Sequence, residues 1–271
     1  MSERVLNRKD APFADKVWEK IDQAVVGAAK SQLSARRLLQ IEGPYGLGIK
    51  SIPGADKPVE AKGLVEGATL ASSAETPLVV VQSSFKLAAR DVVAFEQTGL
   101  PFDLGVVARA AIACARQEDA LLYNGVKSLG LDGLLGLKGA LSSKLKNWKE
   151  VGSAVEDVIQ AVTRLDDAGF HGPYALALAP ALYNLLYRRY PQGYGTELEH
   201  LKVIASEGVV KAQGINAGGV LLASGPQYAT IVLGQDLMAG YVGPEDGNLL
   251  FTVLETIALR CVEPAAICVL G

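Results

Sequence analysis

The chain has 271 residues, enough for one large or two modest domains, and 49% of them are apolar. Its mean hydropathy of +0.23 means much apolar surface to hide, yet no run approaches the roughly 18 to 20 apolar residues of a bilayer span. With 29 acidic and 26 basic residues the net charge is −3, so the surface as a whole is not marked for nucleic acid.

Apolar residues at Val17, Ile21, Ala24, Val25 and Ala28 recur at helical spacing, with Lys16, Glu19, Lys20 and Gln23 opposite them. The pattern predicts an amphipathic helix starting near Phe13 and continued by Leu33, Leu38 and Leu39 until Gly43-Pro44 stops it. Residues 47–73 are rich in Gly, Pro, Lys and Glu and predict a long, weak β-hairpin arm. A two-stranded ribbon is marginal in water, so the arm is expected to pack on another subunit. A strand over 78–87, a short helix over 90–97 and a long alanine-rich helix from an Asp103 cap to Gly125 follow. The alanines of that helix suit a spine lying close on a sheet.

Beyond the glycine-rich stretch 130–139, Ser153 and Glu156 have the spacing of a capping box before a helix that runs to Gly169. A strand over 174–178, a helix over 180–189 and strands over 201–205, 219–224 and 228–233 predict an α/β insertion. Long strands over 249–262 and 265–270 close the chain.

No catalytic set emerges. Residues 43–51 (GPYGLGIKS) approach a phosphate-binding loop, but Ile49 breaks the spacing and no helix can open at Ser51-Ile52-Pro53. No G-x-S-x-G elbow is present, and His171 and His200 stand singly. Glu118-Asp119 and Asp166-Asp167 are expected to be solvated or to pair between subunits. The same is expected of Arg36-Arg37, Arg188-Arg189 and the four lysines of 138–149, which lack interleaved aromatics. Cys114, Cys261 and Cys268 are odd in number without C-x-x-C spacing, and are expected to be buried small hydrophobes. The first residues lack the apolar core of a signal peptide, which predicts a cytoplasmic product.

Five segments carry a resemblance: Phe13-x4-Trp18-x-Lys-Ile-Asp22, Ile41-Glu-Gly-Pro-Tyr-Gly46, Gly130-Leu-Asp-Gly-Leu-Leu135, Gly172-Pro-Tyr174, and Leu233-Gly-Gln-Asp-Leu237 with Gly240-Tyr241. In order and spacing the chain resembles the encapsulins, shell proteins of bacteria and archaea related to linocin-type bacteriocins and tailed-phage major capsid proteins. The resemblance implies an α+β tailed-phage major-capsid fold. Its parts would be a helical arm (1–46), an extended β-hairpin loop (47–80), a peripheral domain (81–133 and 233–271) and an axial domain (134–232). It further implies a non-enzymatic subunit of an icosahedral homo-oligomer, the smallest shell, with no cofactor, metal, nucleic acid or membrane partner. Its cargo would be a ferritin-like or peroxidase enzyme bearing a C-terminal targeting peptide. By the same resemblance Leu33, Arg36, Arg37, Gln40, Leu237 and Tyr241 would bind that peptide. Tyr190, Pro191, Gln192, Gly193, Tyr194 and Gly195 would line a five-fold pore. A prophage capsid protein is the alternative, and a peptidase or bacteriocin a more distant one.

Overall fold

The computed structural model describes residues 5–59, 65, 68–193 and 195–271. Helix α1 (Asp15–Lys30) buries Val17, Trp18, Ile21, Val25 and Ala29 along one stripe, as its spacing requires. It is shorter than expected. Ser31 Oγ donates back to the Ala28 carbonyl at 2.7 Å, and the main chain at Ser34 and Ala35 donates to a distant carboxylate, that of Asp119. Such side-chain bonds compete with the helical ladder. Leu33, Leu38 and Leu39 are still buried, but around a 3-10 turn (Ala35–Arg37) that leads into strand β1 (Gln40–Glu42).

The arm is a ribbon of β2 (Ser51–Val59) and β3 (Leu70–Pro77), registered from Ser51↔Pro77 to Val59↔Leu70. Strand β4 (Val79–Ala88) runs into α2 (Ala89–Thr98), which Gly99 ends at φ +76°. Asp103 Oδ1 then accepts the Gly105 N–H at 2.7 Å at the start of the spine helix α3 (Gly105–Asn124). A two-residue pair, β5 (Gly125–Val126) and β6 (Leu131–Asp132), folds the chain back on that helix. Leu134 N and Leu135 N donate to the Leu122 and Tyr123 carbonyls, so the Gly130–Leu135 motif is a clamp on the end of α3.

Strand β7 (Leu141–Ser143) precedes α4 (Ser153–Asp167), whose N-cap is Gly152 at φ +103° rather than a Ser153–Glu156 box. After β8 (Tyr174–Leu178), helix α5 (Pro180–Leu185) ends four residues earlier than expected. Arg188 turns back there, its Nε donating to the Leu185 carbonyl at 2.9 Å and satisfying the helix end. The capping box is at Thr196 and Glu199, opening α6 (Glu197–Ile204). Residues 201–205, expected to be a strand, therefore end a helix whose Leu198 and Leu201 face inward. Strands β9 (Gly208–Lys211), β10 (Gly219–Ala223), β11 (Ala229–Glu245), β12 (Asn248–Cys261) and β13 (Ile267–Leu270) complete the chain.

Besides the two-stranded β2–β3 and β5–β6 pairs, the described residues form two larger sheets, ordered β1-β11-β12-β4 and β7-β13-β10-β8-β9. Strand β13 lies between β7 and β10, so the last residues join the second sheet and not the β11–β12 unit with which they were grouped. Strands β8 and β10 are buried on both faces. Ala175, Ala177, Val220 and Leu222 face the core beneath α1 and α3, while Leu176, Leu178 and Leu221 face a second core with Trp148, Val158, Leu165 and Leu201. Their period-two alternation thus joins the two halves through one sheet. Among the described residues no helix is long and apolar enough to cross a membrane.

Candidate functional site

The segment between α1 and β1 carries three of the expected peptide-binding residues, Leu33, Arg36 and Arg37, with Gln40 opening β1, and the structure fixes it from beneath. Asp119 accepts Ser34 N at 3.0 Å, Ala35 N at 3.1 Å and Ser34 Oγ at 2.6 Å, and Tyr123 Oη stands 3.0 Å from the same hydroxyl. Burial pushes the Asp119 carboxyl up, and these hydrogen bonds and Arg37 oppose the shift.

Arg36 is tied in the same way. Its Nε and Nη2 fork onto Glu118 at 2.7 and 2.8 Å, Nη2 also reaches Glu255 at 2.8 Å, and Nη1 meets Asp236 at 2.8 Å. Glu118 and Glu255 are fully buried, whereas the Asp236 side chain is 53% exposed. Burial, and then the charge of Glu118, push Glu255 up to about 10, so at neutral pH it carries a proton. Its Oε1 has no hydrogen-bond partner among the described residues, and the side chain of Glu118 beside it favours the protonated form. Burial opposes the Arg36 charge, but Glu118 and Asp236 outweigh it and raise the guanidinium pKa. Glu118-Asp119 is therefore a buried anchor and not a solvated face. Its first residue continues the inward stripe Val107, Ala111, Cys114 of α3, a signal the sequence did carry. Glu255, on a strand, gave none.

Cys114 is buried beside this cluster, and burial followed by the charges of Glu255 and Glu118 push its thiol up to about 12. Cys268 is also buried and Cys261 half-buried; all three are free thiols.

Of the six expected peptide contacts, Leu33 and Leu237 do meet, packed with Ala29 and Ala115. Leu237 is half-buried, and Arg37 and Gln40 are exposed nearby in sequence, Arg37 donating to the Lys30 carbonyl at 3.2 Å. Arg36 is consumed by three carboxylates. Tyr241 lies elsewhere, with its ring among Phe13 and Phe251 at centroid distances of 6.3 and 5.7 Å. Its N–H donates to the Leu6 carbonyl at 2.9 Å, so the N-terminal segment covers it. Gly240 permits that cover, since a Cβ there would press on Leu6. Arg8 locks the segment, pairing with Asp22 at 2.6 Å and stacking 4.0 Å over Trp18.

Two of the matched motifs meet at the end of β1. Tyr45 N donates to Leu233 O at 3.0 Å and Gly46 N to Gly234 O at 2.6 Å. Gly43 sits at φ +101°, and a Cβ on it would strike the Leu233 carbonyl.

The loop of residues 190–195 is closed at its base by an Arg189–Thr196 bridge, Tyr190 N donating to Gly195 O at 3.2 Å. Pro191, Gln192 and Gly193 are exposed at the tip, and Tyr194 lies outside the described residues. Tyr190 is not at the tip. Its ring lies 4.8 Å from that of His200, with Oη 3.1 Å from Nδ1. Below the loop, buried Glu197 accepts from Arg188 at 2.9 Å and from Gly152 N at 2.8 Å. Arg188 is thus an internal partner rather than a solvated cation. Among the described residues no group of three or more His, Cys, Asp or Glu side chains is placed to hold a metal ion.

Residues 3–258 match the family model Linocin_M18, described as an encapsulating protein for peroxidase. The type 1 encapsulin shell protein EncA of Myxococcus xanthus is 31% identical, over 98% of this chain and 96% of that one. The virus-like particle protein of Pyrococcus furiosus superposes with a TM-score of 0.75 at 22% identity, covering 94% of this chain and 99% of that one. The capsid protein of Myoviridae phage XM1 gives 0.58 at 12% identity, covering 86% of this chain and 88% of that one. The fold is that of tailed-phage capsid proteins, and the relatives are shell proteins rather than enzymes. With its two sheets, spine helix and projecting ribbon, the chain belongs to the encapsulin family and is a structural shell protein.

Proposed function

We propose that copies of this chain close into an icosahedral shell in the cytoplasm, in the smallest size such a subunit can make, around a peroxidase or ferritin-like enzyme. The observation that carries this reading is the β2–β3 ribbon. Pro53, Gly54, Ala55, Asp56 and Pro58 are exposed on one strand and Leu70, Ala71, Ser72 and Ser73 on the other. A two-stranded ribbon of this kind is marginal in water unless something covers it. In a closed assembly of identical chains the neighbouring copy does so. Light scattering and negative-stain electron microscopy of the purified protein test the proposal. Uniform hollow particles are expected; a stable monomer or dimer overturns it, and nucleic acid within the particles favours a phage-type capsid.

The cargo's C-terminal peptide would dock on Leu33 and Leu237, with Arg37 and Gln40 beside them, as an apolar anchor settles into a shallow groove. Arg36 would shape this surface from below rather than touch the peptide. The exposed tip, Pro191 to Gly193, with Gly195 behind it, would border the pore through which small solutes pass. Replacing Leu33 or Leu237 by serine should leave particles intact but empty of co-expressed cargo. Undiminished loading removes the docking assignment.

A further inference from the structure

Beside the Leu33 patch lies a polar cleft of about 440 Å³, between the end of α1, the outer face of α3 and the loop following β9. Four amide side chains line it, those of Gln32, Asn124, Gln213 and Asn216. Arg116 is the cation in the lining. Its Nε donates to Gln32 Oε1 at 3.1 Å, and its two terminal nitrogens take no partner among the described residues. The carboxylate in the lining, Asp119, is 3% exposed and spends its oxygens on Ser34 and Ala35. Arg37 lies near enough to lower its pKa. The cleft thus offers a forked cation among amide donors and acceptors, with its negative charge turned inward.

A guanidinium with its fork free matches a carboxylate better than it matches an amide or a hydroxyl. The volume is that of a small-ligand site. Gln32 adjoins Leu33 along the chain and Arg116 adjoins Ala115, so the cleft and the Leu33–Leu237 contact are built on the same two elements, with Leu237 the more exposed of that pair. We infer that this cleft takes the terminal carboxylate of a peptide whose apolar side chain lies on Leu33 and Leu237. The inference rests on the cargo-docking reading above and adds the group that would tell a chain end from an internal segment.

The test uses the assembled protein and two probes, N-acetyl-leucyl-leucine and its C-terminal amide, with binding followed by ligand-observed NMR. The free acid is expected to bind at least fivefold more tightly than the amide. Arg116→Gln should abolish that preference, and Leu33→Ala should weaken both probes alike. Should Arg116→Gln disturb particle formation, Asn216→Asp, which places a negative charge at the same cleft, is expected to have the same effect. Equal binding of acid and amide, reduced by Leu33→Ala, overturns the carboxylate site while the docking patch stands. An Arg116-dependent preference unmoved by Leu33→Ala upholds the anion site and overturns docking on the patch. Inorganic phosphate displacing the acid at equal concentration overturns the peptide assignment in favour of a general anion site.

Discussion

The Ser34 hydroxyl donates to Asp119 Oδ2 at 2.6 Å across 85 residues of sequence, in a pocket that excludes water from both. The bond fastens the connection between α1 and β1 to the spine helix. Removing a buried acceptor of this kind strands its donors, at a cost of about 1–3 kcal/mol or more for a charged group. Asp119→Ala is therefore expected to lower stability by at least that amount in urea melts. Amide exchange should accelerate at residues 33–38 before it does elsewhere.

Glu255 makes the shell subunit sensitive to alkali. Its folded pKa, about 10, lies above the ordinary glutamate value, so the stability tied to its proton is complete below about pH 4.5 and declines as pH rises through 10. Glu255→Gln keeps the shape of the protonated side chain. Denaturation series from pH 6 to pH 10 should show a shallower loss in this variant than in the parent; parallel curves would dismiss the assignment.

Arg36→Met leaves Glu118 buried without its cation, and breaking a buried pair from one side costs about 3–5 kcal/mol. Adding Glu118→Gln should recover part of that loss, which a double-mutant cycle measures. If cargo loading also falls in Arg36→Met but returns in the double variant, the arginine acts by holding the surface rather than by binding.

On the proposed pore reading, Gly193→Val at the exposed tip should slow solute uptake by assembled particles without changing their number or diameter. Among the described residues beyond its chain neighbours, a Cβ at Gly193 would meet only Tyr190 Cβ, at 3.5 Å, an ordinary contact. Stopped-flow uptake of a small chromogenic solute is the measurement, and unchanged rates would refute the pore.

Much of this molecule was legible because its largest elements are periodic. The stripe Val17, Ile21, Val25 predicted α1, and the strand alternation of β8 and β10 follows from one sheet serving two cores. What escaped was set by distant partners. Nothing local in Ser34 to Leu39 shows that Asp119 and Glu118 will unwind the helix there. Leu198 and Leu201 suit either a strand or a helix until the Thr196–Glu199 cap decides between them. Tyr241 looked available because its cover, Leu6, lies 235 residues away.

The position of β13 between β7 and β10 bears on the order of synthesis. Until residues 267–270 leave the ribosome, β7 has no strand partner among the described residues and β10 has one bare edge, because the strand that joins them is made after both. A nascent chain would then hold an unfinished sheet, and exposed strand edges invite pairing with the wrong chain.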